Sequence, residues 1–91
     1  MKSCTVRISD SANFTTYELL TAAGTALAMV QVEEWVSSRR IDPHIVLAAL
    51  SVLANGSAIR VDYRPSPMGD YPHTAQVKNR IDSWLLERKD R

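Results

Sequence analysis

Few side chains in this sequence have the chemistry of a nucleophile, a general base or a metal ligand: the candidates are Cys4, His44 and His73. Cys4 lies on the apolar side of an alternating segment, which is typical of an unreactive core thiol, and no motif joins it to a histidine. The histidines are far apart in the sequence and no second cysteine accompanies them, so no zinc site is expected. The sequence predicts no catalytic residue, no bound metal and no cofactor.

The acidic residues and the glycines support the same prediction. Glu33 and Glu34 are adjacent in a segment with helical spacing, and neighbours on a helix point about 100° apart, so the pair is interpreted as part of a solvated helix face. Gly24, Gly56 and Gly69 are too widely spaced to build a phosphate-binding loop. The sequence therefore predicts a protein that is not an enzyme.

Arginine residues are the first candidates for binding. Arg7, Arg60 and Arg64 lie on the polar sides of two predicted strands, so they would share one exposed face if those strands pair, with Asp62 among them. Such a face could contact phosphate groups, and the basic residues of segment 76–91 could add to it. However, the formal net charge is only +1, and no aromatic side chains interleave with the arginines. A nucleic-acid-binding regulator is therefore the alternative function rather than the first.

A proline-rich loop over residues 65–73 supplies the other binding candidates. It holds three of the four prolines in the chain, and it also contains a methionine, a tyrosine and a histidine. Methionine and tyrosine are frequent in protein interfaces, and a loop stiffened by proline loses little entropy on docking. The other interpretation of the loop is a stiff connector. The predicted partner-binding residues are Met68, Tyr71, His73, Arg7, Arg60 and Arg64.

The elements that must position these residues form one small domain spanning residues 1–91. A chain of 91 residues, 45% of them hydrophobic and 23% charged, is long enough for a single core. Alternation of apolar and polar residues predicts two short strands, near 3–9 and 57–64. Apolar residues at helical spacing predict three helices, near 16–38, 43–54 and 75–88. The expected fold class is thus α+β, in the order β-α-α-β-α.

The first two helices are predicted from their ends as well as from their spacing. Thr15-Thr16-Tyr17-Glu18 matches a capping box, and the apolar residues after it recur at three- and four-residue spacing, which favours one long helix. Asp42 and Pro43 are typical of an N-cap and a first helical position. Asn55 and Gly56 tolerate the left-handed backbone that ends a helix.

The second predicted helix carries the most information about assembly. Its only polar side chains are His44 and Ser51, and a helix that is apolar on every side is normally buried on every side. Because so short a chain has few elements to cover such a helix, we expect a homodimer; the alternative is a monomer that buries the helix within one chain. The expected core residues are Val6, Ile8, Leu20, Leu27, Val30, Val46, Leu50, Leu53, Ile59, Val61, Val77, Ile81 and Trp84.

Together these features predict a small non-enzymatic module that binds another protein. Adaptors, inhibitors and assembly factors fit this description, including phage-encoded blockers of host defence such as anti-CRISPR proteins. The first residues lack the apolar run of a secretion signal, so the expected location is the cytoplasm. No membrane span is expected, because acidic residues bracket the apolar part of the first predicted helix.

Overall fold

The computed structural model describes residues 3–35 and 40–89. Along the chain these residues form six elements: β1 (Ser3–Asp10), β2 (Phe14–Thr21), β3 (Ala26–Glu33), α1 (Pro43–Leu53), β4 (Ala58–Arg64) and α2 (Thr74–Lys89). Neither of the two helices in these residues is long and apolar enough to cross a membrane.

The strands form one mixed sheet in the order β3-β2-β1-β4. β1 and β2 are antiparallel, as are β2 and β3, whereas β4 lies parallel to β1. The predicted α+β class is confirmed. The predicted order β-α-α-β-α is wrong, because the described residues contain four strands and two helices rather than two strands and three helices.

The error lies in the segment predicted as the first helix, residues 16–38. Its described part forms the β2–β3 hairpin, with Gly24 at φ 90° in the turn, while residues 36–38 lie outside the described part. Thr15 caps no helix: its hydroxyl donates to Asp10 Oδ1 across the turn, over 2.8 Å. The segment is so rich in apolar residues that spacings of two, three and four all occur in it, and pairing with β1 selects the spacing of two.

The other elements begin and end close to the predicted positions. Asp42 caps α1, since its Oδ1 accepts the main-chain N–H of His44 at 3.0 Å, and Pro43 is the first helical residue. Asn55 and Gly56 follow α1 with positive φ angles of 53° and 82°. Each end of β1, β4 and α2 lies within one residue of its predicted position.

The core lies between one face of the sheet and both helices. Val6 and Ile8 of β1 and Tyr17 and Leu19 of β2 are fully buried in it, and α1 and α2 supply the opposite side. The other face of the sheet has no helix of the described residues over it. The helices contribute Val46, Leu47, Leu50, Val77, Ile81 and Trp84 to the core.

Most of the expected core residues are buried, and two are not. Leu27 is 53% exposed because it lies where the register of edge strand β3 shifts, beside an open groove. Leu53 is 59% exposed because it lies on the outward side of α1. Three more, Val30, Ile59 and Val61, are only partly buried. The expectation that the second helix is buried on every side is therefore wrong for a single chain.

Candidate functional site

The six residues predicted to bind a partner lie in two places. Arg7, Arg60 and Arg64 share the open face of the sheet, because β1 and β4 pair and all three side chains alternate with the buried row. The other three lie in the loop between β4 and α2. The structure thus brings the arginines together as expected and keeps the loop residues separate from them.

The open sheet face carries acidic as well as basic side chains. Arg7 of β1 is in register with Asp62 on one side and with Glu18 of β2 on the other. Arg64 forms an ion pair with Asp62, with 3.1 Å between Nε and Oδ2. Arg60 is exposed and lies opposite Thr5, which is uncharged. Acidic neighbours therefore offset much of the positive charge, and Arg60 is left as the arginine with the most open surroundings.

The loop residues differ in their exposure. Met68 is 84% exposed, so its side chain is free to make a contact. His73 is only 4% exposed and stacks on Tyr71, with 5.8 Å between the ring centroids and 9° between the planes. His73 therefore helps to hold the loop against the core, and its imidazole is not an accessible contact residue as the sequence had suggested.

A buried polar cluster joins this loop to the end of β1. One oxygen of Asp10 accepts from the Thr15 hydroxyl at 2.8 Å, and the other accepts from the Tyr63 hydroxyl. His73 Nε2 lies 3.8 Å from Asp10 Oδ1. Burial, together with the hydrogen bond to Asp10, raises the pKa of the Tyr63 hydroxyl above its ordinary value. The cluster ties β1 to β2, to β4 and to the start of α2.

This cluster has a composition that could do proton chemistry, but its position does not suit a substrate. A carboxylate, an imidazole and two hydroxyls lie together, yet Thr15 is fully buried and the Asp10 side chain is only 1% exposed. No sequence motif indicates this cluster, because Asp10, Tyr63 and His73 are far apart in the chain. Within residues 3–35 and 40–89, no three His, Cys, Asp or Glu side chains are placed to hold a metal ion.

The adjacent pair Glu33 and Glu34 is not the solvated face that was expected. Glu33 is exposed at the end of β3, whereas Glu34 is 3% exposed. Arg40 lies over Glu34, with 3.0 Å between Nε and Oε2, and also donates to its main-chain carbonyl at 3.3 Å. Even with this partner, burial raises the pKa of the Glu34 carboxyl above its ordinary range. The difference between the neighbours arises because successive residues of an extended chain point to opposite sides.

The most unusual exposed surface is on α1. Its outward side carries Ile45, Ala49, Val52 and Leu53, which we call the outer α1 face. Ile45 is 64% exposed and Val52 is 78% exposed, and no charged side chain lies anywhere on the helix. The positions 45, 49, 52 and 53 follow the spacing by which a helix packs against another element. The opposite side of the same helix carries the apolar residues that are buried in the core. Because both sides are apolar, the sequence of α1 is apolar all around the helix.

A groove of about 680 Å³ adjoins this face. It opens at the end of the sheet where the β2–β3 turn approaches the end of α1, and Leu27 and Leu53 line it. The thiol side of Cys4 borders it too, although Cys4 is 6% exposed and belongs to the core. The outer α1 face therefore continues through this groove to the end of edge strand β3 that adjoins the β2–β3 turn.

Comparison of the chain with protein-family models, with curated proteins and with solved structures found no match.

Proposed function

We propose that this protein is a small non-enzymatic module that acts by binding a protein, as an adaptor, an inhibitor or an assembly factor does. The observation that supports this proposal best is the outer α1 face. An apolar surface of this kind, larger than isolated exposed side chains, normally marks a protein interaction site. A cytoplasmic setting fits the proposal, because the one cysteine of the chain is a free and buried thiol.

Binding at the outer α1 face has a favourable balance of energies. Removing apolar surface from water contributes about 25 cal/mol per Å², and no charged group of α1 has to lose its hydration in return. The groove beside Leu27 and Leu53 offers a recess for a side chain of the partner. Buried polar groups such as Asp10 and Thr15 stay out of contact with a ligand on this surface.

The test compares one substitution on the outer α1 face with the same substitution elsewhere. Ala49→Asp places a carboxylate in the centre of the face, while Ala75→Asp makes the same change at an exposed position in the first turn of α2. A photo-reactive side chain at Val52 would identify what contacts the face in an extract of the native host. We expect crosslinking from position 52 to a defined protein, lost with Ala49→Asp and retained with Ala75→Asp. A crosslink from position 52 that persists in the Ala49→Asp variant would contradict the proposal.

A second candidate function, nucleic-acid binding, is favoured by the shared location of Arg7, Arg60 and Arg64 on the open sheet face. Arg60→Glu would then weaken binding of a labelled single-stranded oligonucleotide and lower the slope of affinity against salt by about one. Ala75→Glu, at an exposed position of α2 before segment 76–91, is the control for an added negative charge away from both basic surfaces. Equal affinities for the wild-type chain and Arg60→Glu, at low and at high salt, would remove this candidate.

The loop before α2 separates the two candidates further. If the partner is a protein that also covers this loop, Tyr71→Ala should weaken binding more than Arg60→Glu, because aromatic side chains dominate interface energies. If the partner is a nucleic acid, the order of the two effects should be reversed. Met68→Ala tests the exposed tip of the loop without disturbing the Tyr71–His73 stack.

A further inference from the structure

Among the residues that the structure describes, no strand pairs with the outer edge of β3, which we call the free edge, and its backbone groups point away from the sheet. Glu34 donates its main-chain N–H to the Asn13 carbonyl at 2.8 Å, and the antiparallel register continues from this pair into β3. Hydrogen-bonded pairs alternate along an antiparallel ladder. From Ala28 to Val32, even-numbered residues of β3 therefore bond to β2, and the groups that face outward belong to Met29, Gln31 and Glu33. The register shifts at Leu27, which lies between the partners of Leu19 and Leu20.

From Ala28 to Val32 this edge lacks the features that keep an edge strand unpaired. This stretch contains no proline, no charged residue and no register shift, since the shift in β3 lies before it. Met29, exposed by 61%, flanks the edge on the open face of the sheet. Long, uncharged edges of this kind readily pair with another strand.

The outer α1 face lies on the same side of the molecule as this edge. Ala48 and Ser51 of α1 border a hollow with Trp84, so that side of α1 faces α2. Ala49 and Leu53 lie on the opposite side of α1 from Ala48 and Ser51, with the buried residues of the helix between the two sides. α1 also contacts β3. The free edge of the sheet and the uncovered side of the helix layer therefore point in one direction.

We infer that both surfaces are covered by a second copy of this chain, whose β3 pairs antiparallel with the first about a two-fold axis at Gln31. The result is one continuous sheet twice as wide, with the two α1 helices side by side above it. This inference rests on the proposed function and deepens it, since it names the second copy as the protein that occupies the outer α1 face.

The register follows from which backbone groups are free. From Ala28 to Glu33, only odd-numbered residues of β3 have outward groups, so they must pair with odd-numbered residues of the second copy. Centring the pairing on Gln31 joins the two copies of Gln31 to each other and Met29 to Glu33, which uses every outward group from 29 to 33. No like charges meet, because Glu33 lies opposite a methionine. An axis at Val30 would place Glu33 opposite Leu27, where the register of β3 shifts.

The helix layer fits the same axis. Four strands at about 4.8 Å spacing are about 19 Å wide, and two helices of about 10 Å diameter cover this width. A second copy that continues the sheet therefore places its α1 about 10 Å from the first, within the usual distance for packed helices. Ala49 is small and lies in the middle of the outer α1 face, so it allows this approach.

The first test is sedimentation equilibrium of the full chain up to high micromolar concentration. We expect twice the monomer mass of 10.2 kDa. Gln31→Pro removes the outward N–H and the side-chain bond to Thr16 but leaves the main-chain bonds between β2 and β3 intact, so it should give a folded monomer, with an apparent dissociation constant raised by about 100-fold. Gln31→Thr also shortens the side chain but keeps the N–H, and it should remain dimeric. A wild-type monomer at these concentrations overturns the inference.

The second test reads the register directly. At the axis, two copies of Gln31 form a hydrogen-bonded pair with Cα atoms about 5.5 Å apart, which is close enough for a disulfide. Gln31→Cys should therefore give a covalent dimer under mild oxidation. Met29→Cys should not, because its two copies lie about 13 Å apart in this register. Efficient crosslinking at 29 but not at 31 would show that the proposed pairing is wrong.

Failure of this inference can be told apart from failure of the proposed function. A monomeric wild-type chain whose photo-crosslink at Val52 reaches another protein, and loses it with Ala49→Asp, overturns only the dimer. A dimer that persists in both Gln31→Pro and Ala49→Asp uses some other surface and overturns the dimer proposed here. A monomeric chain without any crosslink from Val52 overturns both.

Discussion

The half of the molecule built from α1 and β3 differs from the half built from α2 and β4 in where it carries charge. The exposed side of α2 is charged, and edge strand β4 carries three charged side chains in seven residues. The exposed side of α1 has no charge, and neither does β3 before its last residue. The charged residues on the exposed side of α2 are Lys78, Arg80, Asp82, Glu87 and Arg88.

This contrast distinguishes the two halves as surfaces. Charged side chains are strongly hydrated and disfavour strand pairing, and the α2–β4 half carries them on both its helix and its edge strand. The α1–β3 half has no such protection on either its helix or its edge. One chain can thus carry a surface suited to association beside one suited to solvent, although its formal net charge is close to zero.

The largest expected effect comes from a charge on the buried side of α1. Leu50 is 1% exposed, and Leu50→Asp should unfold the protein because a lone buried carboxylate costs several kcal/mol. Ala49→Asp, one residue earlier, should leave the fold intact and change only association. Circular dichroism melting curves compare the two variants. A normal melting curve for Leu50→Asp would show that the two sides of α1 do not differ as described.

A smaller loss is expected where the two halves are joined. Asp42 caps α1 and accepts from Arg80 of α2 at 2.8 and 3.1 Å, and this pairing lowers the pKa of its carboxyl. Asp42→Ala should destabilise the protein by about 1–2 kcal/mol in urea unfolding. Asp42→Asn keeps a capping oxygen and is the control for the charge.

The pH dependence of this effect has a definite sign. Because the pKa of Asp42 is lower in the folded chain than in the unfolded one, its charge stabilises the fold above the unfolded pKa. That stabilisation is lost as the pH falls through the folded pKa. The difference between the wild-type chain and Asp42→Asn should therefore shrink in acid, and a constant difference would contradict the pairing with Arg80.

Glu34 should show the opposite dependence. Its pKa is raised by burial, so its charged form opposes folding at neutral pH, and this cost disappears as the carboxyl is protonated. Glu34→Gln should raise the melting temperature at pH 7 and have little effect in acid. Glu33→Gln, at the exposed neighbouring position, is the matched control and should change the melting temperature little at any pH.

The smallest effect is expected at Cys4. Its thiol is 6% exposed and packs in the core, so Cys4→Ser should destabilise the protein by about 1 kcal/mol through burial of a hydroxyl. The partner crosslink from Val52 should persist in this variant. Complete loss of binding by a folded Cys4→Ser protein would point to a chemical role for the thiol.

The sequence by itself determined the elements that have local signals. Asp42-Pro43 at one end and Asn55-Gly56 at the other define α1, and strict alternation defines β1 and β4. The shared face of Arg7, Arg60 and Arg64 also followed from alternation once the strands paired. In each case, residues close in sequence carry the information, through backbone preferences or the two-residue repeat of a strand.

Only the tertiary structure decided the rest. Residues 16–33 fit a helix by spacing, and they form strands because β1 offers a partner for β2 along its length. The Asp10 cluster joins side chains from distant parts of the chain. The outer α1 face could not be separated from the buried row until the sheet and α2 had covered one side of the helix. Spacing along the chain records which residues are apolar, but which of them are buried depends on what packs against them.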